Sequence, residues 1–253
     1  DVSLVGSEMC IRDRVKRGKR CIIVDSNLFL AYDNNNSRGY LRYSYDGIFA
    51  NTGEYCTSIV DPQRWEMMRE MLGIDVKPWK EGHNGHILIC CQRHGGWSMQ
   101  GQNVFSWLEK VIREVRLITG NPIVVRFHPG DKLAPTYPQR IRHLTSQKVY
   151  ASTNRTIFQD LQNACCMIGH NSSPGIIAAI EGVPVFLTDA GRSQAMEVAH
   201  HSFNSLLEPQ HFDREPWLQK LAMCHWTLEE SKQGLIWTHM RKWADKNNIP
   251  API

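Results

Sequence analysis

One stretch, Ala164 to Asp189 (ACCMIGHNSSPGIIAAIEGVPVFLTD), constrains the fold more than any other. Cys165 to Ile168 is a short apolar run, suited to a strand buried on both faces. Gly169 to Gly175 then reads as a turn and a helix start. Ser172 or Ser173 can cap that helix, and Pro174 suits its first turn, where a missing N–H costs nothing. Ile176, Ile177, Ala179 and Ile180 make a mostly apolar helix that Gly182 ends, and Pro184 to Leu187 opens the next buried strand. The stretch is a βαβ unit with a hydroxyl-rich helix start at the carboxyl end of a strand. Backbone N–H groups and the helix dipole suit such a place to phosphate. The plainer alternative is that the serines only cap.

A chain of 253 residues allows one large domain or two modest ones. Its net charge of +4 permits an anionic partner, a nucleotide or a nucleic acid, without requiring one. There is no apolar run long enough to span a membrane. The eight cysteines show no C-x-x-C pair and no zinc spacing. Cys90-Cys91 and Cys165-Cys166 fall inside apolar runs, where paired cysteines serve as small core residues, so the reading is a reducing cytoplasm.

Residues 1–14, DVSLVGSEMCIRDR, have no initiator Met at position 1 and no signal-peptide pattern. They resemble translated sequencing adapter at the ends of environmental and transcriptome-derived proteins. The expectation is an artefactual tail in place of a lost upstream part; the alternative is a disordered natural tail. Cys21 to Val24 reads as a buried strand ending at Asp25. Residues 26–58, rich in Asn, Ser, Gly and Tyr, read as short strands or long loops. Tyr40, Tyr43 and Tyr45 could stack on bases or serve as half-buried strand residues. Pro62 to Leu72 reads as a helix with Trp65, Met68, Met71 and Leu72 on its apolar face. Asp75 to Gly85 (DVKPWKEGHNG) is the candidate linker.

Strand–helix alternation then becomes regular. Strands are expected at His86–Cys91, Pro122–Phe127 and Val149–Ala151, with a last short one at Ser205–Leu207. Helices are expected at Val104–Ile118, Tyr137–Leu144, Thr156–Asn163 and Asp213–Met223. A capping box from Thr227 to Glu230 opens a final helix through Trp243. Apolar strands alternating with helices imply an α/β fold: a Rossmann-like parallel sheet with helices on both faces.

Ligands of such sheets bind at the carboxyl ends of the strands. That gathers four loops. Arg93-His94-Gly95-Gly96 offers charge and close backbone approach. Arg126-Phe127-His128-Pro129, Gly169 to Ser173, and Asp189 to Arg192 complete the set. Each alone could be an ordinary solvated turn. Four polar loops on one edge, three of them with Arg or His, fit a nucleotide diphosphate better.

Arg126-Phe127-His128-Pro129 resembles the His-Pro motif of GT-B glycosyltransferases such as bacterial sialyltransferases, Kdo transferases and teichoic acid polymerases. Asn171-Ser172-Ser173-Pro174-Gly175, followed by Gly182-Val183-Pro184-Val185, resembles their paired-hydroxyl motif. Those families place a Glu in the first turns of this helix; here the matching position is Ile177, and Glu181 lies one turn later. Gln92-Arg93-x-Gly95-Gly96-Trp97-Ser98-Met99 with Arg126-x-His128-Pro129-Gly130-Asp131 also resembles glycosyltransferase-like proteins of marine tailed phages. The resemblance covers residues 86–245 and implies the donor-binding half of a GT-B fold, with residues 15–85 the remnant of a truncated N-terminal α/β domain on the acceptor side. The final helix, 228–245, would pack back on that part.

The resemblance implies a glycosyltransferase moving a sugar from a nucleotide-sugar donor to a hydroxyl. As phage analogy, the acceptor would be a hydroxymethylated DNA base, in the host cytoplasm; a surface polysaccharide is the alternative. Donor-binding residues would be Arg93, Gly95, Gly96, Arg126, His128, Ser172, Ser173, Asp189 and Arg192. No D-x-D pair occurs, so no obligatory divalent ion is expected for donor binding; no cofactor is expected, the nucleotide sugar being the donor substrate. Asp25 is the first choice of catalytic base, with Asp46 or Glu54 second. The truncation would leave a chain that binds donor and transfers poorly. Two rivals stand: a nucleotide-sugar epimerase of the same architecture, and a non-catalytic nucleotide- or DNA-binding module.

Overall fold

The structure, a computed structural model, describes Asp13, residues 16–18 and residues 20–249. The expected tail at 1–14 therefore lies outside the described residues, Asp13 apart. In chain order the elements are β1 (Ile22–Asp25), β2 (Tyr40–Tyr45), α1 (Pro62–Leu72), β3 (His86–Cys90), α2 (Val104–Arg116), β4 (Ile123–Arg126), α3 (Tyr137–Arg140), β5 (Val149–Ala151) and α4 (Ile157–Leu161). There follow β6 (Ala164–Gly169), α5 (Pro174–Ile180), β7 (Val185–Leu187), β8 (Ala199–His200), α6 (Glu215–Cys224), β9 (His225–Thr227), α7 (Leu228–Lys232) and α8 (Leu235–Lys246). Short 3₁₀ turns fill several connections.

These elements form two compact units. One is Asp75–Phe212; the other joins the described residues up to Ile74 to those from Asp213 onward. The expected division into 15–85 and 86–245 thus differs from the contacts. The segment 75–85, read as a linker, belongs to the second unit: Lys77 N–H donates to Ile180 O and Lys80 N–H to Gly182 O. Gly182 is required there, because its φ is +73° and a Cβ would come within 2.0 Å of the Pro78 carbonyl oxygen.

The second unit is a parallel sheet of six strands in the order β5-β4-β3-β6-β7-β8, flanked by helices. It is a Rossmann-like α/β fold, with strand order reversing between β3 and β6. Its core is aliphatic: Ile87, Ile89, Ile123, Val125 and Ile168 on the strands meet Leu108, Val111, Ile112 and Val115 on α2. Asn103 caps α2 by accepting from the N–H groups of Phe105 and Ser106. Ile118, expected on its inner face, lies past the helix end. The final strand is Ala199–His200 rather than Ser205–Leu207, where the chain forms a 3₁₀ turn at Phe203–Ser205. Two residues paired to Val185 and Phe186 are too few to leave a period-2 signature.

The first unit is an antiparallel sheet in the order β1-β2-β9 with α1, α6, α7 and α8. The Cys21–Val24 run is not fully buried: β1 pairs with β2 alone among the described residues, and Ile22 and Val24 face solvent. The apolar face of α1 is Trp65, Met68 and Leu72, while Met71 is exposed. The helix expected from Thr227 through Trp243 is two helices. Thr227 and Glu230 form the capping box of α7, and Gly234, with φ of +81°, separates it from α8. Ile236, Met240 and Trp243 of α8 pack with Tyr43, Tyr45 and Trp226.

Candidate functional site

The second unit gathers its polar loops at the carboxyl ends of β3, β4, β6 and β7, around the β3/β6 reversal. Two side chains, Asp131 and Asn171, tie these loops to one another.

Asp131 ties the loop after β3 to the loop after β4. It is 6% exposed and accepts from the His94 N–H at 2.8 Å, the Leu133 N–H at 2.9 Å and the Tyr137 hydroxyl at 2.9 Å. Burial works to raise its pKa, but these hydrogen bonds prevail and hold the carboxyl below its ordinary range. The turn they fix needs Gly95, whose φ is +68°. Gly96 closes it by donating its N–H to the Arg93 carbonyl.

His128 sits in the second of these loops. Its Nδ1 accepts from the Gly130 N–H at 3.0 Å, so Nε2 carries the proton. Burial, then the positive charge of Arg93, lowers its pKa, so the ring is neutral at physiological pH. Arg93 and His128 therefore offer a charged donor and a neutral N–H donor on the two loops that Asp131 ties together.

Asn171 ties the loop after β6 to two others. It accepts from the Gln92 amide and donates to Ser98 O at 3.1 Å and Asp189 Oδ2 at 2.8 Å. His170, one residue earlier, has a different hydrogen-bond partner. Its Nδ1 shares a hydrogen bond of 2.7 Å with the Thr188 hydroxyl, and that hydroxyl accepts from Trp107 Nε1–H at 2.9 Å. Burial lowers the His170 pKa, and its Nε2 lies 3.7 Å from Asp189.

The paired serines do not cap. Ser173 takes helical backbone angles (φ −57°, ψ −26°), and its side chain makes no capping bond to α5. Ser172 Oγ is buried without a hydrogen-bond partner. An orphaned hydroxyl costs desolvation free energy unless something binds it.

Other expected residues are turned to different work. Arg126 donates to Asp160 at 2.8 Å and to the Arg155 carbonyl; Asp160 is fully buried and also holds Arg155 and Ser152. Arg126 thus locks the chain after β5 rather than facing the crevice. Arg192 is buried, with its Nε 4.0 Å from Asp189. Of the expected set, Arg93, Gly95, Gly96 and His128 share one pair of loops, and Ser172, Ser173, Asp189 and Arg192 the other.

The expected bases lie in the first unit. Asp25 pairs across strands with Arg42 at 2.5 Å and accepts from its own Ser26 N–H. Asp46 accepts from the Cys21 N–H and pairs with Arg20 at 2.5 Å. Glu54 accepts from the Cys56 N–H. All three carboxylates carry internal partners.

Sequence reasoning did not single out Gln92, Asn171, Thr188 or Asp131 as site residues. Asp131 could have been found, since an Asp after a Pro-Gly turn commonly accepts local N–H groups. Nothing local pairs Gln92 with Asn171, 79 positions away.

A cleft of about 650 Å³ adjoins these loops. Ser106, Trp107, Lys110 and Glu114 of α2 form one wall; His170, Thr188 and the turn at His201–Phe203 form the other.

Fold and site define a Rossmann-like α/β protein with polar loops collected at the strand-order reversal. No protein-family model and no curated protein matches the chain. Among solved structures, partial likeness extends to two Kdo transferases from Thermosulfurimonas dismutans KpsC. The β-Kdo 2,7 transferase is 14% identical with a TM-score of 0.49, covering 85% of this chain and 77% of that one. The β-Kdo 2,4 transferase is 12% identical with a TM-score of 0.49, covering 78% and 73%. A variant of the wall teichoic acid polymerase TagF is 12% identical with a TM-score of 0.30, covering 78% and 52%. At these values no residue role is carried across.

Proposed function

We propose that this chain is a GT-B-type glycosyltransferase that takes a sugar from a nucleotide donor held at the β3/β6 reversal. The observation that carries the reading is the pairing of Arg93 with neutral, Nε2-protonated His128, on loops fixed by Asp131. Such donors suit the phosphate of a departing nucleotide. Arg93 offsets its charge, and His128 and Ser172 donate hydrogen bonds that strengthen as negative charge develops. Arg126 is left out of this set because Asp160 holds it, and Asp25 is left out as base because Arg42 holds it. The acceptor is a hydroxyl; a hydroxymethylated DNA base and a surface polysaccharide are the two forms proposed for it.

Calorimetry with CMP, UDP and GDP tests the donor site. At least one should bind, and His128→Ala should weaken it about ten-fold, the size of one charge-assisted hydrogen bond. Unchanged affinity in a folded variant would remove His128 from the site. Nucleotide release that depends on acceptor marks a transferase. Conversion of free nucleotide sugar without acceptor would mark an epimerase, and binding with neither would mark a binding module.

A further inference from the structure

We infer that the cleft beside α2 is a binding groove for a neutral carbohydrate chain of two or three sugar units, separate from the nucleotide site. Four observations carry this.

The first is shape. The lining residues Asn103, Ser106, Lys110 and Glu114 follow one face of α2 at helical spacing. From Asn103 to Glu114 is 114 − 103 = 11 positions, or ~16 Å along the axis. The cleft is therefore elongated, and its volume of about 650 Å³ lies within the range of ligand sites. Successive polar side chains recur about once per ~5.4 Å turn, close to the advance of one pyranose unit in an extended chain.

The second is charge. Lys110 lies 3.8 Å from Glu114, so the one lysine of the lining has a carboxylate beside it, and the lining contains no arginine. Burial holds His170 toward the neutral form. A phosphate would find in this lining one lysine that shares its surroundings with a carboxylate, whereas the loops after β3 and β4 carry Arg93, whose positive charge is felt at His128.

The third is chemistry. The lining supplies amide, hydroxyl, carboxylate and ammonium groups beside the partly buried ring of Phe203, with buried Trp107 behind them. Sugar hydroxyls both donate and accept, and sugar C–H faces pack on aromatic rings. A flat nucleobase would use the rings and leave the row of polar groups on α2 unmatched.

The fourth is position. His170 faces the groove, while Asn171 and Ser172 of the same turn belong to the crevice loops. A chain lying in the groove would thus end beside the proposed donor phosphate.

The test uses the full chain, an array of neutral and acidic di- to hexasaccharides, and the nucleotides CMP, UDP and GDP. Ser106 is exposed, so Ser106→Trp should fill the groove without disturbing the core; thermal melting checks this. Wild type should bind a neutral glycan class of two or more units. Ser106→Trp should lose that binding by about ten-fold or more and keep its nucleotide affinity. Glu114→Ala, which removes a hydroxyl acceptor at the far end, should weaken trisaccharides more than disaccharides. The assignment is overturned if no glycan binds, if Ser106→Trp binds glycans as well as wild type, or if that variant loses nucleotide instead.

Discussion

The two units differ in where they keep their polar groups. In the first unit they are turned inward. Arg64 is 7% exposed, donates to the carbonyls of Ala222 and His225, pairs with Glu230 at 2.7 Å, and lies 3.5 Å over the Trp226 ring. Arg42 and Asp25 bind each other across β1 and β2, and fully buried His225 accepts the Leu28 N–H while donating to Leu221 O. In the second unit the sheet interior is aliphatic, and Gln92, His128, Asp131 and Asn171 stand at the strand ends. A short three-stranded sheet offers limited aliphatic surface, so aromatic rings and buried ion pairs specify its packing. A six-stranded parallel sheet buries enough Ile and Val to be held by aliphatic packing, and its polar groups gather in the loops and turns around the strand ends.

The largest test of that contrast is acid. Burial lowers the His225 pKa to about 3, from an unfolded value near 6.5. Between those values only the unfolded state takes up the proton. Stability is therefore retained above pH 6.5 and lost as pH falls toward 3. From pH 7 to pH 5 this one residue should cost about 2 kcal/mol. Urea midpoints followed by tryptophan fluorescence should drop over that range, and less so in His225→Gln. Equal pH slopes in both proteins would mean that His225 does not govern the first unit.

The next test moves to the second unit. Asp131→Ala removes the link between the loops after β3 and β4 and leaves the His94 N–H and the Tyr137 hydroxyl without their acceptor. It should lower stability by ~1–3 kcal/mol and weaken nucleotide binding through misplacement of Arg93 and His128. Lost stability with unchanged nucleotide affinity would make Asp131 a scaffold residue only.

The sequence makes the second unit far more legible than the first, and the reason is physical. Parallel strands buried on both faces are unbroken apolar runs, so β3, β4, β6 and β7 stand out. In the first unit β1 alternates exposed and covered residues and finds its neighbour β2 after an irregular segment. Its third strand, β9, joins from far along the chain. Composition cannot reveal such pairing. Within the site, residue types told which loops were polar but not which way each side chain turned. Arg126 and His128 are two positions apart; one is drawn to buried Asp160, while the other is set beside Arg93. The break between α7 and α8 at Gly234 hid behind a capping box that fits a longer helix equally well.

The smallest expected effect decides what the serines are for. Had they capped α5, Ser172→Ala and Ser173→Ala would each lower stability by about 1 kcal/mol. Neither makes that bond, and Ser172 Oγ is buried with no partner. Ser172→Ala removes an unsatisfied hydroxyl, so the free protein should melt at the same temperature or slightly higher. If Ser172 donates to phosphate, the variant should gain less from added nucleotide than wild type does. Ser173, exposed and at the N-cap position of α5 without a capping bond, should behave the same way only if it too reaches the ligand. Melting curves with and without saturating CMP, UDP or GDP separate these outcomes. An identical nucleotide-induced shift in wild type and Ser172→Ala would leave the buried hydroxyl without a role in binding and rest the donor site on Arg93 and His128 alone.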